Sequence, residues 1–202
     1  MSFIMPLTSS RMDLQHISSM LPPRAQGEVL LEYFFDEVCW IYHIVHIPTV
    51  WCVFDNVYTA LKHNTLPKYD GLALISTIFA LSAYFGSPSS TIYFRQAEGK
   101  MYSYRWTVLA QGALSAADYI NAPTLETIQS IILMSQHILP NIGAIGAFKT
   151  MLSIASQSAR ELAIHQIDSP ANKKRRENTE AVDWVEVELK RRIWWQLTSV
   201  EW

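Results

Sequence analysis

The sequence holds only two cysteines in 202 residues, Cys39 and Cys52. Two cannot build a disulfide framework or a multi-cysteine zinc cluster, and a reducing compartment follows by default. A dominant sign of charge is also lacking, since sixteen basic residues face eighteen acidic ones for a net charge of −2. No overall field therefore draws the chain to DNA, RNA or anionic lipid. Long hydrophobic runs are absent as well. The longest, over 72–85, is about fourteen residues and carries Ser76, Thr77 and Ser82, whereas a spanning helix wants ~20. No basic region followed by an apolar core opens the chain, so no signal peptide is expected, and an intracellular chain without membrane attachment is. Catalytic constellations are missing too: there is no Gly-x-Ser-x-Gly elbow, no phosphate-binding glycine loop and no His-Glu-x-x-His pair. Asp118, Glu161 and Asp168 stand as isolated carboxylates. An enzyme is not expected.

What is present is apolar and helical. Half the residues are apolar and 12% aromatic, enough for a core and incompatible with a disordered tail. The first twenty residues lack a period and are expected to be a flexible N-terminal segment. From Pro22-Pro23 a helical period runs through Leu30, Phe34, Val38, Ile41 and Val45, and Pro48 should end it near His46. A second helix is expected over 49–63. The stretch 71–85 is apolar nearly all round and should be the most buried helix. A helix over 91–120 follows, with Gly99 and Gly112 as candidate kink points. Thr124 is an N-cap for the next, which continues to Pro140. Ile145, Phe148, Leu152, Ala155, Ala159 and Leu162 alternate steps of three and four, the seam of a helix packed on another. Asp168-Ser169-Pro170 should end it, 173–178 should be a polar loop, and a last helix should start near Thr179 and run to Trp202. No strand alternation and no repeat occurs. The fold class read from these patterns is all-α with about seven packed helices, and the last helix, stopping in mid-pattern, reads as part of a larger helical domain.

Three clusters invite a chemical reading. Cys39, His43 and His46 are spaced for one helix face, but seven positions span about 10 Å at ~1.5 Å per residue. A tetrahedral ion with ~2 Å bonds cannot collect all three. Cys39 with His43, joined by Cys52, is the smaller version, and the plainer reading is a structural face with His46 at the helix C-terminus. No metal ligand is assigned. Lys173-Lys174-Arg175-Arg176 reads as a solvated loop, a phosphate patch or a nuclear localisation signal. Lys190-Arg191-Arg192 before Ile193-Trp194-Trp195 could stack on single-stranded nucleic acid. On a helix, however, Trp194 and Trp195 face different ways, and Glu186 and Glu188 sit at helical spacing to Lys190 and Arg192. Core tryptophans with snorkelling arginines are the expectation.

Several segments together resemble one family. Leu21-Pro22-Pro23-Arg24 followed by Ile44-Val45-His46-Ile47-Pro48-Thr49 is similar to the opening of the middle homology (regulatory) region of fungal binuclear zinc-cluster transcription factors. Ile78-Phe79-Ala80-Leu81-Ser82-Ala83 resembles its buried alanine-rich helix, and 124–135 its next block. Ala159-Arg160-Glu161-Leu162-Ala163-Ile164-His165 stands where the family has Ala-x-x-Leu-Gly-Leu-His. Glu188-Leu189-Lys190-Arg191-Arg192-Ile193-Trp194-Trp195 matches its acidic-x-x-Arg-Arg-x-Trp-Trp signature. The resemblance covers 21–202, truncated at the C-terminus. Ala163 for glycine, Gln166 for arginine and Glu201 for aspartate are departures that look like drift in packing residues.

The resemblance implies a nuclear, non-catalytic regulatory domain in which His46, Pro48, Leu162, His165, Arg191, Arg192, Trp194 and Trp195 are structural signature residues. It implies no cofactor for this chain. The family's zinc and DNA contacts belong to a six-cysteine cluster that two cysteines cannot supply. A protein partner or paralogue is expected, with a small-molecule effector as a further option and no membrane. The alternative is a free-standing helical module that heterodimerises with full-length relatives or antagonises them. The arginines of the last helix should pair acids on neighbouring helices, so Arg192→Ala should destabilise more than Lys174→Ala.

Overall fold

A helix that shows water no face has to be surrounded, and the architecture meets that demand. The computed structural model describes residues 12–86, 96–138, 140, 143–179 and 181–201. Among them lie nine α-helices and no strand: α1 (Leu14–Met20), α2 (Arg24–Tyr33), α3 (Ile47–Lys62), α4 (Tyr69–Phe85), α5 (Gln96–Ala116), α6 (Leu125–Leu133), α7 (Ile145–Glu161), α8 (Pro170–Glu177) and α9 (Trp184–Glu201). Every residue of α4 from Gly71 through Ala83 is buried. Helices α2, α3, α5 and α6 pack around it, α5 most extensively. Two of its polar residues, Thr77 and Ser82, tie it to these neighbours, while the Ser76 hydroxyl is buried without a partner. Ser82 Oγ donates to the Leu30 carbonyl of α2 at 2.8 Å, and the Thr77 and Ser130 hydroxyls bond across to α6 at 2.8 Å. Satisfying such groups matters because a buried, unpaired hydroxyl costs about 1–3 kcal/mol.

The all-α expectation holds, with nine helices instead of seven because two segments read as irregular are helical. The first is in the N-terminal segment expected to be flexible. Asp13 caps α1 by accepting from the His16 amide at 2.7 Å, and Ile17 is fully buried. The segment is strapped down through its main chain. The carbonyls of Met12, Ser19, Met20 and Pro22 accept from Tyr69, Arg105, Trp106 and Tyr58, the last two at 3.0 and 2.8 Å. Residues 1–11 lie outside the described residues. The second is 170–177, read as a stop and a loop. Ser169-Pro170 in fact starts a helix, since Ser169 accepts from the Asn172 amide and Pro170 occupies the first turn, where it loses no bond.

Boundaries also move. After Tyr33, α2 continues as a π-helical turn (Phe34–Val38) and a 3₁₀ turn (Cys39–Ile41), ending five residues before His46. His46 therefore does not cap a C-terminus. It precedes α3, and its Nδ1 lies 2.8 Å from Thr49 Oγ1. His43 between the two helices has φ +51°, and Gln129 Nε2 donates to the Ile44 carbonyl at 2.6 Å, holding this turn against α6. Helix α5 is continuous through Gly112, which packs beneath Met12; residues 91–95 lie outside the described residues. Thr124 caps α6 as expected, in a reciprocal box with Thr127, and a second π-helical turn (Met134–Ile138) follows. The last helix starts at Trp184, not near Thr179, with Asp183 accepting from the Glu186 amide at 3.0 Å.

Gly27 sets how closely α2 approaches α3 and α4. A Cβ there would sit 2.8 Å from Tyr58 Oη and 3.0 Å from the rings of Phe54 and Phe79. Gly27→Ala is expected to cost about 1–3 kcal/mol through overpacking, despite the better helix propensity of alanine. Thermal unfolding followed by circular dichroism should show a drop of several degrees, and an unchanged Tm would refute the tight approach.

Candidate functional site

Several of the residues singled out in the sequence meet where α9 crosses the turn after α7. That turn begins at Leu162, which ends α7, and passes through Ala163 at φ +55°. A 3₁₀ turn (Ile164–Gln166) follows, with Ile164 fully buried, and Ser169 then starts α8. The backbone has to turn left-handed at 163, a conformation that strains any residue with a Cβ. The alanine there is thus a conformational departure, not packing drift. Helix α9 lies over this turn with Val187, Ile193 and Leu197 buried.

Arg191 is the centre of the crossing. Its Nε and Nη2 donate to both carboxylate oxygens of Asp168 at 2.7 and 2.9 Å, and its Nη1 donates to Glu188 one turn back. Arg176 of α8 joins from the other side, bonding the Ile167 carbonyl at 2.6 Å and lying 3.6 Å from Asp168. Asp168, isolated in the sequence, is the point at which the turn, α8 and α9 are tied together. Arg192 instead pairs within its own helix, donating to Glu188 at 2.9 Å, as Lys190 does to Glu186 at 2.5 Å. These two pairings follow the helical spacings seen in the sequence. Trp194 is half-buried between the His165 ring and the Arg160 guanidinium, each 5.8 Å from its ring. Gln196 reaches Gln136 in the second π turn at 3.1 Å.

The expectation of core tryptophans is thus half right. Trp195 is 69% exposed, and so is Trp184 at the start of α9, at 64%. The seam of α7 also holds only in its middle: Leu152, Ala155 and Ala159 are buried, but Ile145 and Leu162 are exposed. Of the eight signature residues, His165, Arg191 and Trp194 are brought together, Leu162 opens their turn, and Arg192 and Trp195 face outward. His46 lies elsewhere, at the start of α3 with Pro48 in its first turn. His46 lines a cleft of about 230 Å³ with Thr49, Glu126, Asp183, Glu186 and Leu189, smaller than the ~300–1,000 Å³ of most ligand pockets. Sequence reading missed Arg160 and Asp168, because their partners are distant in the chain.

The other clusters dissolve or move. Cys39 and His43 do not share a helix face, since the helix ends at Ile41. Among the described residues no three His, Cys, Asp or Glu side chains gather as a metal site. Burial pushes the Cys39 thiol up, which makes it a poorer nucleophile. Lys173, Lys174 and Arg175 are exposed on α8, a helical platform instead of a loop.

A family model, that of the fungal specific transcription factor domain, matches residues 31–197. The chain belongs to that family. Three of its relatives are named as transcription factors. It is 52% identical over 184 residues to the agnestins biosynthesis cluster transcription factor of Paecilomyces divaricatus, covering 91% of this chain and 27% of the relative. It is 25% identical over 185 residues to the probable transcription factor lepB of Aspergillus flavus, covering 90% and 33%. It is 28% identical over 187 residues to a transcription factor of Pyricularia oryzae, covering 90% and 24%. The chain therefore spans about a quarter to a third of the length of these curated relatives. No solved structure matches it. The family description and these names are those of transcription regulators. They favour the regulatory-domain reading over the free-standing module. Among the described residues no helix is long and apolar enough to cross a membrane.

The geometry moves the weight of the clamp from Arg192 to Arg191. Arg191→Ala is expected to cost about 1–2 kcal/mol, or roughly 3–6 °C in Tm, since its bidentate pair is only partly exposed. Arg192→Ala and Lys174→Ala should each stay within about 1 kcal/mol. Differential scanning calorimetry decides the order, and a larger loss for Arg192 would refute it. The hydrogen bond from Arg191 holds Asp168 below the usual carboxylate range, and those from Arg192 and then Arg191 do the same for Glu188. Depressed carboxylates stabilise the fold in full above the usual range and lose that contribution as pH falls from it through their own lower folded-state values. Asp168→Asn should therefore lower stability most at neutral and alkaline pH and least in acid, which flattens the acid limb of a Tm-against-pH curve. Ala163→Gly should raise stability by about 0.5–1 kcal/mol by relieving the left-handed turn, measurable as a Tm increase.

Proposed function

We propose that the chain is the regulatory, non-catalytic part of a nuclear transcription factor, restraining or transmitting activity while another segment reads DNA. The observation that carries this reading is the Asp168–Arg191 clamp. It lies within the family match and is formed by the Arg-Arg-x-Trp-Trp helix and the turn that follows Ala159 through His165. A clamp of this kind fixes the relative position of two helical layers and offers no acid–base pair or nucleophile in a cleft. Zinc and sequence-specific DNA contacts would be supplied by a six-cysteine cluster outside this chain. The exposed run Lys173-Lys174-Arg175, with Arg176 partly engaged in the clamp, serves nuclear import on this reading.

Fusion of the chain to an unrelated DNA-binding module tests the role. Reporter transcription is expected to shift by severalfold from that of the module alone, and to revert towards it with Arg191→Ala. A fusion indistinguishable from the module would refute a regulatory role. Placed on a fluorescent cargo too large to diffuse through nuclear pores, the chain should accumulate in the nucleus and lose that accumulation when Lys173, Lys174 and Arg175 are replaced by alanine. Equal distribution of both forms would remove the import function.

A further inference from the structure

From His165 to Glu186 no described residue is buried. Within that stretch α8 is held by a cap and by polar ties, not by packing. Ser169 accepts from the Asn172 amide, Asn172 Nδ2 donates to the Gln166 carbonyl, and Arg176 donates to the Ile167 carbonyl. Such a segment opens locally at low cost, because few apolar contacts are lost. Asn178 ends α8, and Thr179 beyond it is exposed and outside the helix. The Thr179 hydroxyl donates to the Arg175 carbonyl at 2.8 Å, and its amide to the Arg176 carbonyl at 3.1 Å. An accessible hydroxyl thus stands just after the basic run Lys173-Lys174-Arg175-Arg176, in a part of the chain that lifts from the body without opening the core.

Among the arginines of the sequence, only Arg176 has a serine or threonine three positions after it, and that residue is Thr179. Lysine precedes Thr65 and Ser103 by the same interval. Ser103 is buried, however, and Thr65 follows a lone lysine where Thr179 follows a run of four cations. Kinases select their acceptors by charge pattern. An acidic recognition pocket gains charge-assisted bonds from an arginine before the acceptor, whereas Val182, three positions after it, offers nothing to a kinase that selects acids. We propose that Thr179 is a phosphorylation site for an arginine-directed protein kinase. In the transfer the Thr179 oxygen attacks the γ-phosphorus of ATP, the bond from that phosphorus to ADP breaks, and the hydroxyl proton passes to the kinase's catalytic aspartate. The phosphate brings a charge of about −1.5 to −2 and acceptor oxygens in place of a donor. The bond to the Arg175 carbonyl is then lost, and the new charge sits at the negative end of the α8 dipole, where anions are unfavourable. The last turn of α8 should therefore loosen, and part of the charge of the basic run is cancelled. The proposal does not depend on the nuclear or transcriptional reading.

The full chain is incubated with magnesium, ATP and calmodulin-dependent protein kinase, which selects arginine three positions before its acceptor. It should gain one phosphate, placed at Thr179 by fragment mass spectrometry. Thr179→Ser should still accept phosphate and Thr179→Ala should not, both with unchanged circular dichroism because the side chain is exposed. Arg176→Ala should slow transfer at least about tenfold by removing a charge pair with the kinase, and Arg176→Lys should restore part of the rate. The sign of that effect separates recognition from structure: freeing α8 from Ile167 and Asp168 would by itself speed transfer. Amide exchange over 173–178 should be severalfold faster in the phosphorylated chain, since local opening governs it. A chain that takes up no phosphate overturns the proposal. So does phosphate at Thr65 or any other hydroxyl, or a rate that Arg176→Ala leaves unchanged or raises. Exchange unaltered by the phosphate overturns the loosening of α8.

Discussion

Complete burial of α4 is the constraint on which the other elements depend. A helix with apolar residues on every side gains stability only when each side is covered, at roughly 25 cal/mol per Å² of apolar surface removed from water. Four helices form the enclosure, and two of them, α2 and α6, are tied to α4 by hydroxyls it carries. Ser82 reaches α2 and Thr77 reaches α6. Because these groups must be paired, the covering helices have little freedom to slide. Both π-helical turns, Phe34–Val38 and Met134–Ile138, belong to covering elements that contact α4. One extra residue per turn lets a helix keep its apolar face inward while its direction is adjusted.

Away from α4 the chain is held by apolar burial and by charge together. Helix α8 has no buried residue, while α9 buries Val187, Ile193 and Leu197 among the described residues and the turn before α8 buries Ile164. Asp168 adds a tie between them, accepting two bonds from Arg191 and lying near Arg176. The α7–α9 crossing should thus feel salt and acid more than the α4 shell does, because part of its support is an ion pair open to solvent.

Elements whose signal is local were legible in the sequence. The Thr124 cap, the apolar stretch around Leu81 and the i, i+4 pairs of Lys190 and Arg192 are written within a few residues of where they act. Two readings failed because one local signal has two meanings. Ser169-Pro170 marks a stop after one helix as readily as the start of the next, and only the Asn172 amide bonded to Ser169 decides. Cys39, His43 and His46 share a face only if the helix is regular, and the π turn at 34–38 breaks that register. Asp168 was illegible for another reason. Its partner is 23 positions away, and no spacing rule links a turn carboxylate to an arginine on a later helix. The exposure of Trp195 was missed because composition treats a tryptophan in an amphipathic helix as core.

The strap over 12–22 has a consequence for how this region varies. Tyr69, Arg105, Trp106 and Tyr58 all bond to its carbonyl oxygens, and a carbonyl is the same whatever side chain follows it. The body of the protein thus recognises the course of this segment more than its lettering. Substitutions can accumulate there while the path is retained, provided the buried Met12, Ile17 and Leu21 and the turn prolines persist. Divergence in this stretch is then a poor measure of structural divergence, and changes at the four donors are the ones that would release it.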